Sequence, residues 1–317
     1  MGESSAGAKP FLRILLGPTA SGKESAAVAC AKMIGGEIVS VDSMKIYRTL
    51  DIGTAKASEK IRADVPHHCL DIADPEENFS VGRYVEEAEK AIVSVVARGK
   101  VPILSGGTAL YYKGLLEGLF DGPSADADLR EEFNRRAETE GVEKLYAELA
   151  EVDPQAAEKI HPNDLRRIVR ALEVAKLTGQ PISSQQTQWV GAEYRYPCAL
   201  AALDWPREVL YARIEKRVDL MMAEGLLEEA RQVYEKRDSL SRTPLQAVGY
   251  KEFFSYFSGE TDLAEAVELL KKNTRNLAKS QMTWFRKFPC EWIAMDEKMN
   301  LTEVVEKSIA AWSRQLQ

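Results

Sequence analysis

A parallel β-sheet flanked by helices, interrupted by an all-helical segment, is the fold class that the 317-residue sequence predicts. Three observations predict it. The β-rich run "FLRILLG" feeds directly into the Gly-rich "GPTASGK" and then into a helical pattern. Two further short apolar runs, each ending in Gly or Asp, alternate with helices before Thr108. After Phe120 strand character vanishes, and it returns only near Cys198.

The first strand is expected over Phe11 to Gly17, followed by a helix from about Gly22 to Met33. "GEIVSVD", Gly36 to Asp42, and "VPILSGG", Val101 to Gly107, are the next strands. Between them a helix from about Ser80 to Arg98 puts Tyr84, Ala88, Ile92 and Val95 on one face. Ser80 can cap its start, and Gly99 ends it. The helical segment breaks around Gly141, Asp153-Pro154, His161-Pro162 and Gly179. "CALAALD", Cys198 to Asp204, is a strand, Trp205-Pro206 opens a helix, and "EWIAMD", Glu291 to Asp296, is the last strand. The organisation expected is a core over residues 1–120 and 196–317 with a helical insertion over 121–195.

Composition is that of an ordinary water-soluble protein, 45% hydrophobic and 29% charged. No run of eighteen apolar residues predicts a membrane span. The polar start "MGESSAGAKP" lacks the apolar stretch of a signal peptide. Cys30, Cys69, Cys198 and Cys290 are scattered, which argues against a zinc site or a disulfide framework and fits a reducing cytoplasm. For the adjacent His67 and His68 a hydrogen-bonding role is expected ahead of a ligand role. The net charge of −7 does not favour a nucleic-acid partner, although a local basic face suffices to meet phosphates.

"GPTASGK" has the spacing of a phosphate-binding P-loop, in which backbone N–H groups and the helix N-terminus surround phosphate oxygens and Lys23 adds a positive charge. The loop comprises Gly17, Pro18, Thr19, Ala20, Ser21, Gly22 and Lys23. The next residue should be Ser or Thr, whose hydroxyl holds magnesium, and here it is Glu24. Asp42 closes the second strand at the edge where open α/β sheets bind ligands. Three roles fit it: magnesium ligand, general base, or turn-capping carboxylate. Thr108, after "SGG", either donates to a phosphate or caps a helix. Two basic clusters stand out. "DLRRIVR" carries Arg166, Arg167 and Arg170, and "LLKKNTRNLAKSQMTWFRKFP" carries Lys272, Arg275, Lys279 and Arg286 at helical spacing. Each reads either as a solvated face or as a phosphate-backbone contact.

Taken together these segments resemble the tRNA dimethylallyltransferase family, the tRNA isopentenyltransferases. The resemblance rests on "GPTASGK", "SVDSMKIYRTLDIGTAK", "PHHCLDIADPEENFSVGRY", "GGTALY", "IHPNDLRRIVRALEV", "RIEKRVDLMMAEGLLEE", "AVGYKE" and "AKSQMTWFR", in family order from about Phe11 to Phe288. It implies a P-loop NTPase-like fold and transfer of a dimethylallyl group from dimethylallyl diphosphate to N6 of the adenosine 3′-adjacent to the anticodon. The loop then serves a prenyl diphosphate and not ATP, although such proteins are often labelled nucleotide- or ATP-binding. By resemblance Asp42 is the base, and Lys23, the loop, Thr108 and Arg217 stabilise the leaving diphosphate. Contacts to tRNA are implied at Asp42, Ser43, Met44, Lys45, Thr108, Arg130, Arg166, Arg167, Arg170, Gln246, Gly249, Tyr250, Lys251 and Lys279. Magnesium as cofactor and a monomeric, cytoplasmic protein complete the expectation.

Two departures stand out: Glu24 in place of Ser or Thr, and Ser280 where relatives commonly have Arg. If Glu24 reaches magnesium, the ion offsets its charge. If it faces phosphates without metal, it weakens their binding. The rival readings are an adenylate isopentenyltransferase, a tRNA-binding protein that has lost catalysis, and a P-loop kinase.

Overall fold

The chain after Pro10 forms β1 (Leu12–Leu16), then α1 (Lys23–Ile34), β2 (Gly36–Ser40), α2 (Glu59–Asp64), β3 (His67–His68), α3 (Val81–Ala97), β4 (Val101–Gly106) and α4 (Ala109–Glu117). The structure is a computed structural model describing residues 9–119, 122–123, 125–185 and 193–316. The opening tail and Asp121, the expected first residue of the insertion, lie outside the described residues. Two compact units are formed, residues 1–116 with 194–317, and residues 117–193.

Next come α5 (Ala127–Glu140), α6 (Val142–Val152), α7 (Pro154–Lys159), α8 (Leu165–Thr178) and the short α9 (Ile182–Gln185). Their boundaries follow local chemistry. Gly141 follows α5, the Asp153 side chain accepts from Ala156 N–H at the start of α7 with Pro154 behind it, and Gly179 ends α8 with φ 70°. The unit is held by its own apolar cluster, in which Phe133, Leu145, Leu149, Ile168 and Val174 are buried.

The chain then runs through β5 (Cys198–Asp204), α10 (Arg207–Ala223), α11 (Leu226–Glu235), α12 (Arg242–Leu245), a 3-10 turn at Lys251–Phe253, α13 (Phe254–Phe257), α14 (Leu263–Phe285), β6 (Glu291–Ala294) and α15 (Leu301–Arg314). Six parallel strands make one sheet in the order β3-β2-β4-β1-β5-β6. Its central strands read as near-continuous apolar runs because helices cover both faces. Leu15, Ile38, Ile103 and Ala201 pack with Cys30 and Ala27 of α1 and with Trp312 of α15. Each fully buried Leu or Ile contributes about 1.5–3 kcal/mol. Ser80 accepts from Arg83 N–H at 3.1 Å to start α3, whose Tyr84, Ala88, Ile92 and Val95 are buried as the spacing predicts. A second cluster, Ile46, Tyr47, Leu226, Tyr250, Phe253 and Leu270, fastens the segment after β2 to α11 and α14.

Candidate active site

The loop from Gly17 to Gly22 leaves β1 at the carboxyl edge of the sheet. Two left-handed residues shape it, Ala20 at φ 62° and Gly22 at φ 85°. The strained Ala20 is held from outside, since Arg213 Nε donates to its carbonyl at 2.9 Å. Trp205 Nε1 donates to Ser21 O at 2.9 Å, and Lys23 Nζ donates to Pro18 O at 3.2 Å. A Cβ at Gly17 would lie 2.6 Å from Ser21 Oγ, so glycine there lets the buried Ser21 fold back.

Only β4 separates β1 from β2, so the strand order brings the loop and Asp42 to one stretch of sheet edge. Asp42 Oδ1 accepts from Met44 N–H at 2.9 Å and from Lys45 N–H at 3.3 Å. That oxygen is committed to the turn, while Oδ2 accepts no hydrogen bond among the described residues. Thr108 Oγ1 accepts from Ser43 N–H at 2.9 Å and donates to Ser43 Oγ at 3.2 Å. A Cβ at Gly106 would lie 2.0 Å from Val41 O, so glycine there lets the end of β4 approach the segment that leaves β2 towards Asp42.

These elements open on a cavity of about 670 Å³ lined by Thr19 to Ser25, Asp42, Met44, Lys45, Gly53 to Ala57, His67, Ser105, Gly106, Arg217 and Gln281, with Val218, Met221, Val248 and Leu277 supplying apolar wall. Gly17, Pro18, Ser43 and Thr108 are close in sequence to lining residues, and Thr108 is hydrogen-bonded to Ser43 beside Asp42. Thr108 therefore braces the turn that carries Asp42.

Charge in the cavity is unbalanced. Lys23, Lys45 and Arg217 face Asp42 and Glu24. Burial, then Lys45 and Arg217, depress the Lys23 ammonium to about 8, against the opposing pull of Asp42 and Glu24. Burial also lowers Arg217, whose Nη1 lies 3.4 Å from Thr19 Oγ1. Glu24 is ion-paired with Lys45 Nζ. Burial pushes its carboxyl up, but Lys45, through charge and hydrogen bond, and then Lys23 hold it below the usual carboxylate range. His67, lowered chiefly by burial, is bonded through Nδ1 to Val65 O at 2.7 Å. Its buried Nε2 has no partner among the described residues. His68 binds Glu37 at 2.7 Å.

The remaining expected residues divide. In the unit formed by residues 117–193, Arg166 and Arg167 are exposed on α8, with Arg167 Nε 3.3 Å from Asp164. Arg130 and Arg170 are instead spent on the fully buried Glu173, at 2.8 and 2.5 Å. In the sheet-bearing unit Gln246, Lys251 and Lys279 are exposed, and Gly249 lines the cavity. Tyr250 is fully buried, and its hydroxyl donates to Glu229 at 2.8 Å.

Two residues that sequence reasoning did not single out shape the site. Gln281 accepts from Thr19 N–H and donates to Gly107 O. Glu229 accepts from the N–H groups of Asp51, Ile52 and Gly53 at 2.8–2.9 Å, which sets the cavity rim. Both fall within the segments "AKSQMTWFR" and "RIEKRVDLMMAEGLLEE", but their partners are far away in sequence, so no local signal gave them these roles.

At a phosphate site magnesium is usually held by one or two carboxylates, or by the Ser or Thr hydroxyl of a P-loop, together with substrate phosphates and water. Among the described residues no group of three or more His, Cys, Asp or Glu is placed to hold a metal ion. The Glu24 carboxylate is already neutralised, and an ion bound to it would sit against the Lys45 ammonium. The residues present do not fit magnesium held through Glu24.

The family model for IPP transferase matches residues 45–288. A tRNA dimethylallyltransferase 1 of Trichlorobacter lovleyi is 46% identical over 290 residues, covering 91% of this chain and 95% of that protein. A tRNA dimethylallyltransferase of Geobacter metallireducens is 48% identical over 279 residues, covering 88% and 90%. Among solved structures, a Bacillus halodurans tRNA isopentenylpyrophosphate transferase aligns over 97% of this chain and 98% of its own, with TM-score 0.70 and 38% identity. A eukaryotic dimethylallyltransferase acting on tRNA aligns over 98% and 79%, with TM-score 0.83 and 27% identity. On its sequence and on its fold alike, the chain belongs to the IPP transferase family.

Proposed function

We propose that the protein transfers a dimethylallyl group from dimethylallyl diphosphate to N6 of the adenosine 3′-adjacent to the anticodon in tRNA, releasing diphosphate. One observation carries the reading. A carboxylate, Asp42, and a cationic phosphate loop line the same cavity, whose apolar wall suits a five-carbon chain. Its relatives are tRNA dimethylallyltransferases by name, which supports the same substrate pair.

The chemistry follows from the lining. The amine lone pair of adenine is delocalised into the ring, so the base must shed a proton as it attacks. Asp42 Oδ2 takes that proton while the N6–C bond forms. The C–O bond to the diphosphate breaks, and its electron pair stays on the departing oxygen. Lys23, Arg217 and the loop N–H groups stabilise the charge that gathers there. Thr108 holds the Ser43 backbone and so keeps the Asp42 turn in place. The target adenosine leaves the loop stack to reach the cavity. Exposed Arg166 and Arg167 on α8 grip the phosphates of the anticodon stem-loop, which lets a chain of net charge −7 bind RNA locally.

The experiment is a rate comparison between two acceptors, anticodon stem-loop RNA and AMP, with labelled dimethylallyl diphosphate. Label entering the RNA with little in AMP supports the reading. Label entering AMP at a comparable rate would replace it with a free-nucleotide enzyme.

A further inference from the structure

We infer that Lys45, anchored by Glu24, is a protein-borne cation for the diphosphate, standing in for the ion that the hydroxyl after a P-loop lysine ordinarily holds. The inference deepens the reading above, since it rests on this cavity taking a diphosphate.

The argument begins with position. Residue 24 lies in the first turn of α1, where the phosphate-loop signature places a magnesium ligand. Its side chain meets Lys45, which comes from the turn after β2, and the two close the gap between the phosphate loop and the Asp42 turn. The Lys45 side chain is only 10% exposed, so its charge cannot be satisfied by bulk water. Glu24 is its one ion-pair partner among the described residues.

Counting charge sharpens the point. Lys23, Lys45 and Arg217 line one cavity against two carboxylates, and burial, then Lys45 and Arg217, depress the Lys23 ammonium. Asp42 has also given one oxygen to backbone N–H groups. The site is therefore short of negative charge, and a diphosphate supplies it. Once the anion enters, Lys45 can keep Glu24 and still donate, since an ammonium carries three N–H bonds. Glu24 then fixes the direction of Lys45 instead of opposing the substrate. A rigidly placed ammonium takes over charge neutralisation that would otherwise require an ion from solution.

The test is calorimetric titration of the full-length protein with inorganic pyrophosphate, and separately with dimethylallyl diphosphate. Each titration is run in metal-stripped buffer with EDTA and again with saturating magnesium. Both ligands are expected to bind in EDTA, with magnesium tightening binding by less than about threefold. Lys45→Gln should weaken binding in EDTA by about tenfold or more and make it magnesium-responsive. Lys45→Arg should preserve binding without metal, and melting curves establish that both variants fold. Native binding that tightens by more than about tenfold with magnesium would overturn the inference. So would Lys45→Gln matching the native protein in EDTA, or no pyrophosphate binding under either condition. Should Lys45→Gln fail to fold, the native magnesium response decides alone. Pyrophosphate binding without prenyl transfer would sink the proposed function and leave this assignment standing.

Discussion

Gln281 and Thr19, 262 positions apart, are joined by a hydrogen bond of 2.8 Å from the Thr19 N–H to the Gln281 Oε1. The other end of the same amide donates to Gly107 O at 3.1 Å, so one side chain ties the phosphate loop to the strand end beside Asp42. Replacing it with leucine removes both bonds and leaves two partly buried backbone groups unpaired, at about 1–3 kcal/mol. Gln281→Leu should raise the KM for dimethylallyl diphosphate by about tenfold. Steady-state kinetics with stem-loop RNA in excess will measure it. Gln281→Glu should not rescue, because a carboxylate cannot donate to Gly107 O.

Asp42→Asn separates chemistry from folding. The amide oxygen still accepts from Met44 N–H, so the turn persists and melting should be unchanged. The proton acceptor is lost, and kcat should fall by about 10²–10⁴ while pyrophosphate affinity stays within about threefold.

Lys23 gives a pH dependence. Its ammonium titrates near 8 in the free site, beside Lys45, Arg217, Asp42 and Glu24. A bound diphosphate favours the charged form, so affinity should fall as pH rises through 8, with proton uptake on binding. Titrations at pH 8.5 in buffers of different ionisation enthalpy will reveal that uptake. The sign for stability is the reverse. A lysine whose folded pKa is depressed destabilises the empty protein at neutral pH, and the cost fades as pH rises from about 8 towards 10.5. Lys23→Met should then melt a few degrees higher than the native protein at pH 7 while losing pyrophosphate binding.

Within the helical unit the arginines should behave as two classes. Removing Arg130 and Arg170 together strands the fully buried Glu173 and should cost about 3–5 kcal/mol, read as an early melting transition. Removing the exposed Arg166 and Arg167 should leave melting unchanged. It should weaken stem-loop binding and flatten the salt dependence of log Kd by about 1–2.

These two classes mark where sequence legibility ended. Gly141, Pro154 and Gly179 set helix ends through local backbone preferences, and their positions were readable. So were Asp42 and the phosphate loop, because a strand end and a glycine spacing are local signals. The pairing of Arg170 with Glu173 had a signal too, the three-residue helical spacing, but the basic cluster around it suggested an RNA face instead. β3 was not readable: two histidines have no strand pattern of their own, and they extend the sheet by pairing with Ile38 and Val39. Gln281, Glu229 and the Glu24–Lys45 pair depend on contacts that only the folded chain creates. Glu24 read alone was an unexplained negative charge in an anion site. Beside Lys45 it becomes the anchor of a cation.

The most direct measurement is to digest anticodon stem-loop RNA after incubation with the native protein and isotopically labelled dimethylallyl diphosphate, and to locate the label by tandem mass spectrometry. The account predicts one labelled dimethylallyl group on N6 of the adenosine 3′-adjacent to the anticodon, and almost none with Asp42→Asn. Label on another nucleotide, or none from a native protein that binds both substrates, would contradict it.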